Sequence, residues 1–571
     1  MKKTWRIHSP DPSVVEHLCQ ELGIRKMYCE MLAIRGIATY KDAEDFFRPS
    51  LDQLPDPFLM QGMHEAVGLL NIILDSGEGI LIYGDYDVDG TTATSLIFKA
   101  LQKLSTNLTF AIPHREKDGY GLSRTGIEKA LSEQCRLLIT VDCGIRDMDA
   151  IAFAKEAGLQ VIVVDHHEPG PELPPANAIL NPKQRTCPYP YKHLSGCGIA
   201  FKLATACYMS RGLSVSDCEA FLDLVALSIA ADMVPVTGEN RILAYHGLKR
   251  MNSHPNPNFE QLLGRSVVER PVTLTDIAFQ IAPKINAAGR MDTGEKAVSL
   301  FLSDSLERSV NLASQLMYDN AQRKLIEVQI SEEATARILA DPVRLAMNSI
   351  VVFDPKWHKG VLGIVAARLS ERFHKPSVVL AGGNDILSGS VRSIPGLNVH
   401  QALMECQSLL VRFGGHEAAA GITIKRELLE AFVQAFEYAV TRNIHGTSPA
   451  PELWIETSLD LAHISGNMQK MIAQFEPFGI DNPQPVFLAT GVRDNGSARI
   501  LKDKHLRLQL LNDPHPPLDA IGFGLAEKSA LVQSGQPFDI CFCMEENYWN
   551  GERKIQLRIL DIQEAGYPVQ A

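Results

Sequence analysis

Three stretches of this chain carry the residue types and spacing of a divalent-metal site. Asp85, Asp87 and Asp89 alternate within Gly79–Thr92, GILIYGDYDVDGTT. Asp142 closes the run RLLITVD, and Asp165-His166-His167 closes LQVIVVDHH. Carboxylates crowded together repel each other, and cations between them relieve this, because oxygen ligands are what Mg²⁺ and Mn²⁺ prefer. A metal site is therefore expected. Three rival readings compete with it. An EF-hand loop needs a bidentate Glu at its twelfth position, which is Leu96 here, and a preceding helix rather than a strand. The DxDGT motif of aspartyl phosphatases matches Asp87 to Thr91, but Gly84-Asp85-Tyr86 intervenes after the strand and the chain has no adjacent Asp-Asp. A solvated acidic turn would explain one aspartate run, not three strand ends of like character.

The elements that must position these groups are legible as alternating helix and strand. Ile80-Leu81-Ile82 reads as a buried strand ending at Gly84, followed by an apolar, helix-length segment from Ala93 to Leu104. Leu108 to Pro113 comes next, then a polar loop from His114 to Gly121, then the strands ending at Asp142 and Asp165. In open α/β sheets the crevice beyond the carboxyl ends of the strands is where ligands bind. The expected organisation is an N-terminal accessory segment (1–64), a metal-binding α/β domain (65–300), a connecting helix (301–342) and a second α/β lobe (343–446). A small all-β domain (449–571) follows. Asp304-x-x-Glu307 is read as an acidic capping box for the connector, with Leu306, Val310, Ala313, Leu316 and Met317 as its packing face. The last domain shows alternating strands at Leu506–Leu510, Ile540–Phe542 and Ile555–Ile559, with Asn550-Gly551 as a hairpin signal. That pattern fits an OB-fold barrel. Arg493, Arg499, Lys502, Lys504 and Arg507 form a basic cluster beside Phe523, Phe538, Tyr548 and Trp549, a composition suited to single strands although most of the aromatics are expected in the core.

Composition narrows the classes. The chain of 571 residues is 45% hydrophobic and 21% charged, with a net charge of −12. That balance argues against a general nucleic-acid coat but not against a nuclease, since affinity follows local basic clusters. No signal peptide or membrane span is read, and the eleven cysteines show no CxxC pairs, so reduced structural thiols in the cytoplasm are expected.

The motifs GDYDVDG, TVDCG and VVDHH, in this order, resemble the DHH phosphoesterase superfamily. Further matches are Ser195 to Gly198, Ala231 to Pro235, Asn286 to Arg290, His358 to Gly363, Gly389 to Ser393 and Gly414 to Ala418. Together they are similar to its bacterial RecJ branch over nearly the whole chain. The resemblance implies DHH and DHHA1 lobes and two divalent ions, Mn²⁺ or Mg²⁺, sharing Asp142. Asp87, with Asp85, would hold one ion, and Asp89, His166 and Asp232 the other. Many relatives begin the first motif with a histidine where this chain, like RecJ-type sequences, has Tyr83. Asp165 would orient a ligand histidine, and His167 would face the scissile phosphate or the activated water. Arg115, Arg290, Ser390 and Arg392, with His416 from the second lobe, would bind phosphate. The implied activity is 5′→3′ hydrolysis of single-stranded DNA to 5′-mononucleotides in recombination and repair, with single-strand-binding protein and a RecQ-type helicase as partners of a monomer. Two alternatives remain: a phosphoesterase of oligoribonucleotides or cyclic dinucleotides, which predicts no tail like 449–571, and a non-enzymatic replication scaffold, which predicts eroded carboxylates.

Overall fold

The structure is a computed structural model and describes residues 3–263, 270–383, 385–444, 451–549 and 552–570. The expected Asn550-Gly551 turn, the Pro449 boundary and the side chains of Tyr548 and Trp549 lie outside the described residues.

The first lobe is built on a five-stranded, wholly parallel sheet. Its order is Leu108–Ala111, Gly79–Gly84, Cys135–Val141, Gln160–Val164 and Ala178–Leu180. Of these five, the first in sequence, Gly79–Gly84, lies inside the sheet with the second on one side and the third on the other, so the strand order reverses between Gly84 and Val141. That reversal opens a crevice at the carboxyl ends. The central strands carry apolar residues on both faces because helices cover both, and Ile80, Ile82, Leu137, Ile139, Ile162 and Val164 are fully buried. The helix after the first strand begins earlier than its apolar pattern suggested. It spans Val88–Gln102, with Asp87 as N-cap accepting from Gly90 N and Asp89 in the first turn.

The connecting helix, Leu306–Ala340, has 35 residues and so runs for about 52 Å. Its cap is Ser305, which accepts from Arg308 N, and not Asp304. Leu306, Val310 and Met317 are exposed, contrary to the expected packing face. The buried face is Ser309, Ala313, Leu316, Asn320, Arg323, Glu327, Ile330, Ala334 and Ile338. Its middle is polar and self-satisfied, since Glu327 accepts from Arg323 and pairs with Arg368 of the helix Leu362–Phe373. A pattern search for apolar residues misses such a face.

The second lobe is a five-stranded mixed sheet in the order Leu410–Gly415, Ala419–Lys425, Ile386–Arg392, Ser377–Gly382, Ile350–Phe353, with only the last pair parallel. The C-terminal domain is a seven-stranded sheet whose longest hairpin joins Phe538–Trp549 to Glu552–Glu564. The N-terminal segment divides: as far as Phe47 it packs with this last domain, while Leu51 to Met63 joins the first lobe's core. Thr4–Ile7 lies between Glu452–Ile455 and Val569–Gln570 in a three-stranded parallel sheet. Val15, Leu18, Tyr28 and Leu32 share a core with Phe475, Phe487, Leu506 and Phe542. Arg35 and Glu456 make a bidentate ion pair across the junction with both side chains about 95% buried. Arg241 of the first lobe stacks on Phe46 at 3.8 Å and donates to Phe475 O, tying the two bodies together. Among the described residues no helix is long and apolar enough to cross a membrane. All eleven cysteines are free thiols.

Candidate metal centre

The three predicted strand ends meet in the crevice. Ligand atoms of three residue groups lie within 4.8 Å of one another in each: Asp85, Asp87 and Asp142; Asp89, His166 and Asp232; and Asp142, His166 and His167. Asp142 belongs to two of them, and so does His166. Asp142 reaches this position through a left-handed backbone, φ 58°, which aspartate tolerates better than most residues. His166 Nε2 lies 3.1 Å from Asp142 Oδ1, 3.6 Å from Asp232 Oδ2 and 3.7 Å from Asp89 Oδ2.

Two of the motifs singled out in the sequence, Ser195 to Gly198 and Asn286 to Arg290, have a visible positional reason. Ser195 caps the helix Gly196–Ser210, and the first amides of that helix, Gly196 N and Cys197 N, donate to Asp89 at 2.6 and 2.7 Å. Ser228 Oγ adds a third bond to Asp89. A helix N-terminus is a natural seat for a carboxylate. A Cβ on Gly196 would lie 2.9 Å from Asp142 Cβ, so glycine is needed for that approach. Asn286 accepts from Val88 N and holds the start of the aspartate-bearing helix. Arg290 donates to Gly360 O across the lobes at 3.1 Å.

The electrostatics are those of a site built for cations. Burial, then the charge of Asp87, raises the Asp85 carboxyl well above its usual range. Burial, then Asp89, Asp87 and Asp232, does the same to Asp142. Asp232 is pushed up to about 8 by burial and by Asp89 and Asp87. Asp85 Oδ1, Asp142 Oδ1 and His166 Nε2 are buried with no hydrogen-bond partner among the described residues; the 3.1 Å approach of the last two lacks hydrogen-bond alignment. Buried polar atoms without partners are costly, and carboxylate oxygens and an imidazole nitrogen aimed at one another are a donor set that suits a divalent cation. The residues present fit divalent ions.

Asp165 was expected to orient a ligand histidine, and the histidine it holds is the second of the pair. Its Oδ1 takes His167 Nδ1 at 2.8 Å and His167 N at 3.1 Å, and its Oδ2 takes Ile145 N. The histidine it orients is thus His167, while His166 faces the carboxylates. Burial opposes the Asp165 charge, but these bonds and both histidines hold it down to about 2. Burial likewise opposes a charge on His167, and the Asp165 contact outweighs it, raising His167 to about 9.

Tyr83 is buried and turns its hydroxyl away from the cluster. Its hydroxyl donates to Gly121 O at 3.0 Å and accepts from Ser123 N. Of the phosphate candidates, Arg115 stacks over Tyr86, with its guanidinium 4.9 Å from the ring centre. Ser390 and Arg392 lie on one face of the strand Ile386–Arg392, with Arg392 Nη1 donating to Ser390 Oγ at 2.7 Å. Burial, then Arg115, Arg323 and Arg392, lowers Arg290 to about 10, so these cations converge on one side of the cleft. His416 is exposed on the second lobe and feels the charges of Arg146 and His167. Some neighbours carried no sequence signal: Tyr120 against His167, Asn181 donating to His167 O, and Lys183 paired with Glu168. Single polar residues in loops have no periodicity to mark them.

Family models match the chain in three places: the DHH family N-terminal domain at residues 79–229, the DHHA1 domain at 346–442 and the RecJ OB domain at 455–561. The single-stranded-DNA-specific exonuclease RecJ of Bacillus subtilis (strain 168) is 35% identical over 566 residues, which span 98% of this chain and 71% of that protein. The protein of the same name from Escherichia coli (strain K12) is 32% identical over 570 residues, 94% of this chain and 95% of the other. The crystal structure of RecJ in complex with Mn²⁺ from Thermus thermophilus matches with a TM-score of 0.83 at 28% identity, covering 99% of this chain and 80% of that one. On this extent of likeness, the chain belongs to the RecJ family of DHH-type exonucleases.

Proposed function

We propose that this protein is a metal-dependent exonuclease that degrades single-stranded DNA in the 5′→3′ direction to 5′-mononucleotides, in recombination and repair. The observation that carries the reading is the overlap of ligand groups at Asp142 and His166, with buried oxygens and a ring nitrogen lacking other partners. Asp85, Asp87 and Asp142 would hold one divalent ion, and Asp89, His166 and Asp232 a second. Such ions, when bound, lower the pKa of water and neutralise the charge that develops on a phosphodiester during in-line displacement. The side chains do the rest. Asp165 fixes His167 with its second ring nitrogen toward the cleft, where it can donate to a phosphate oxygen. Arg115, Arg290 and Arg392 offer forked donors for the remaining phosphate oxygens, and Ser390 adds a hydroxyl. His416 would approach from the second lobe.

Polarity rests on the pocket at Ser390 and Arg392, where the glycines of the segment 358–363 let backbone approach. A Cβ on Gly363 would stand 2.9 Å from Arg392 Nη2 and 3.1 Å from Ser390 Oγ. A terminal 5′-phosphate is the chemistry that such a pocket suits. Single-strand-binding protein and a RecQ-type helicase are the partners that this family membership suggests. Digestion of end-labelled single- and double-stranded oligonucleotides with Mn²⁺, Mg²⁺ or EDTA tests the reading. Release of label from 5′ ends of single strands alone, abolished by EDTA, is expected; release from 3′ ends first would overturn the polarity.

A further inference from the structure

The loop His114–Gly121 presents one aromatic to the metal centre, and the chain spends several contacts on holding it there. Tyr120 is 55% exposed, so it adds little to the core. Its hydroxyl stands 3.3 Å from both ring nitrogens of His167, with the rings edge to face. The backbone around it is clamped. His114 N donates to Asp118 Oδ2, Gly121 O accepts from the Tyr83 hydroxyl, and Leu122 N donates to Asp147 Oδ2 at 2.6 Å. Gly119 and Gly121, on either side of the tyrosine, both have left-handed backbones, φ 83° and 88°. A Cβ on Gly121 would meet Asp147 Oδ1 at 2.6 Å, so this turn admits no other residue without displacing its own anchor. Strained, multiply anchored turns persist where the surroundings over-determine them, and they concentrate at functional sites.

His167 Nδ1 is already taken by Asp165 Oδ1 at 2.8 Å, and the Tyr120 hydroxyl, equidistant from the two ring nitrogens, lies against the flank of the ring and in line with neither. We propose that Tyr120 is a positioning residue for His167: its hydroxyl braces the flank of the imidazole and leaves Nε2 facing the cleft. A ring held at Nδ1 alone can swing about that one bond; braced on its flank as well, it cannot. The proposal rests on the reading that His167 acts at the scissile phosphate, and its test separates the two.

Cleavage of a short 5′-phosphorylated single strand at saturating Mn²⁺ is compared for wild type, Tyr120→Phe, Tyr120→Ala, His167→Ala and the double variant Tyr120→Phe/His167→Ala. Single-turnover rates at excess enzyme keep the weak variants measurable, and calorimetry gives Mn²⁺ affinity. Tyr120→Phe is expected to lower kcat about tenfold, which is about 1.4 kcal/mol, while KM and Mn²⁺ affinity stay within about twofold. Tyr120→Ala should be no more than a few-fold slower than Tyr120→Phe. In the His167→Ala background the Phe substitution should cost nothing further, because the group it acts through is gone. A wild-type kcat for Tyr120→Phe with loss only in Tyr120→Ala would overturn the proposal and assign the work to the ring. Equal losses in both backgrounds, or a loss carried by KM or metal affinity, would also overturn it. Full activity of His167→Ala would remove the reading of His167, and the proposal with it.

Discussion

Asp142 concentrates the tension of the apo site in one residue: a left-handed backbone, a buried carboxylate, and four like charges acting on it. Carboxyls whose folded pKa is raised bind protons in the native state that the unfolded chain has released. Stability is then lost as pH rises toward the folded pKa. For Asp232, raised from 3.8 to about 8, that loss runs from about pH 4 to 8, and for His167, raised from 6.5 to about 9, it runs from about pH 6.5 to 9, so both contribute above pH 7. Metal-free protein should therefore melt at lower temperature at pH 9 than at pH 7, and saturating Mn²⁺ should remove the slope. Scanning fluorimetry in EDTA checks this, and a flat profile would contradict the carboxylate cluster. Asp142→Asn keeps the shape and the tolerance of left-handed φ, so it should melt above wild type without metal, yet lose cleavage by several orders of magnitude. Arg392 works in the opposite lobe. Arg392→Ala should lower the preference for a 5′-phosphate over a 5′-hydroxyl end by roughly ten- to a hundredfold, since a charge-assisted contact is worth about 1.5–3 kcal/mol. Rates on the two ends measure it; an equal fall for both would move Arg392 to the scissile phosphate.

At the scale of elements, the connecting helix sets how the lobes face each other, and a buried carboxylate does the setting. Glu327 has a side chain 2% exposed and pairs with Arg323 on its own helix and Arg368 on the second lobe. Arg368 is half exposed, so most of the energy lies in the buried Glu327–Arg323 pair. Breaking such a pair from one side strands the other charge, at a cost of about 3 kcal/mol. Glu327→Ala should accordingly lower the unfolding free energy by that amount, and should weaken activity through lobe alignment while Mn²⁺ affinity holds. Chemical denaturation and calorimetry check the two halves. The same helix marks the limit of what was legible. Its existence and length followed from the lack of breakers between Ser303 and Asp341. Its phase did not, because exposed Leu306, Val310 and Met317 imitate a packing stripe while the true face carries Arg323 and Glu327. The strands ending in Asp142 and Asp165 were plain for the opposite reason: both faces are buried, so nothing but apolar residues fits. The partner of Asp165 was not legible, because sequence adjacency cannot say which of two consecutive histidines turns back toward it.

Over the whole molecule, the chain's two ends form one body, which no local pattern could reveal because the partners are more than 400 residues apart, as in Arg35 with Glu456 and Trp5 with Asp561. Deleting residues 449–571 would strip the core from the N-terminal helices as well, so a truncation cannot isolate the role of the C-terminal domain. Its surface can be altered instead. Arg493, Arg499, Lys502, Lys504 and Arg507 are all exposed, with Phe523, 57% exposed, beside them through its contact with His505. Arg499 and Arg507 stand directly opposite each other on paired antiparallel strands. Like charges in that register repel, and only Asp519, 3.7 Å from Arg507, offsets them locally among the described residues. An arrangement that costs the free protein is explained if a phosphate backbone settles between the cations. For single strands each phosphate contact contributes about 0.7 to the slope of log affinity against log salt. Replacing Arg499, Lys502, Lys504 and Arg507 together by alanine should therefore flatten that slope by up to about 3. The fold should hold, because none of the four is buried, and kcat on a saturating short oligonucleotide should stay near wild type. Fluorescence anisotropy of a long labelled strand across a salt series supplies the slope. An unchanged slope would mean that the domain braces the two ends of the chain and leaves the DNA to the lobes.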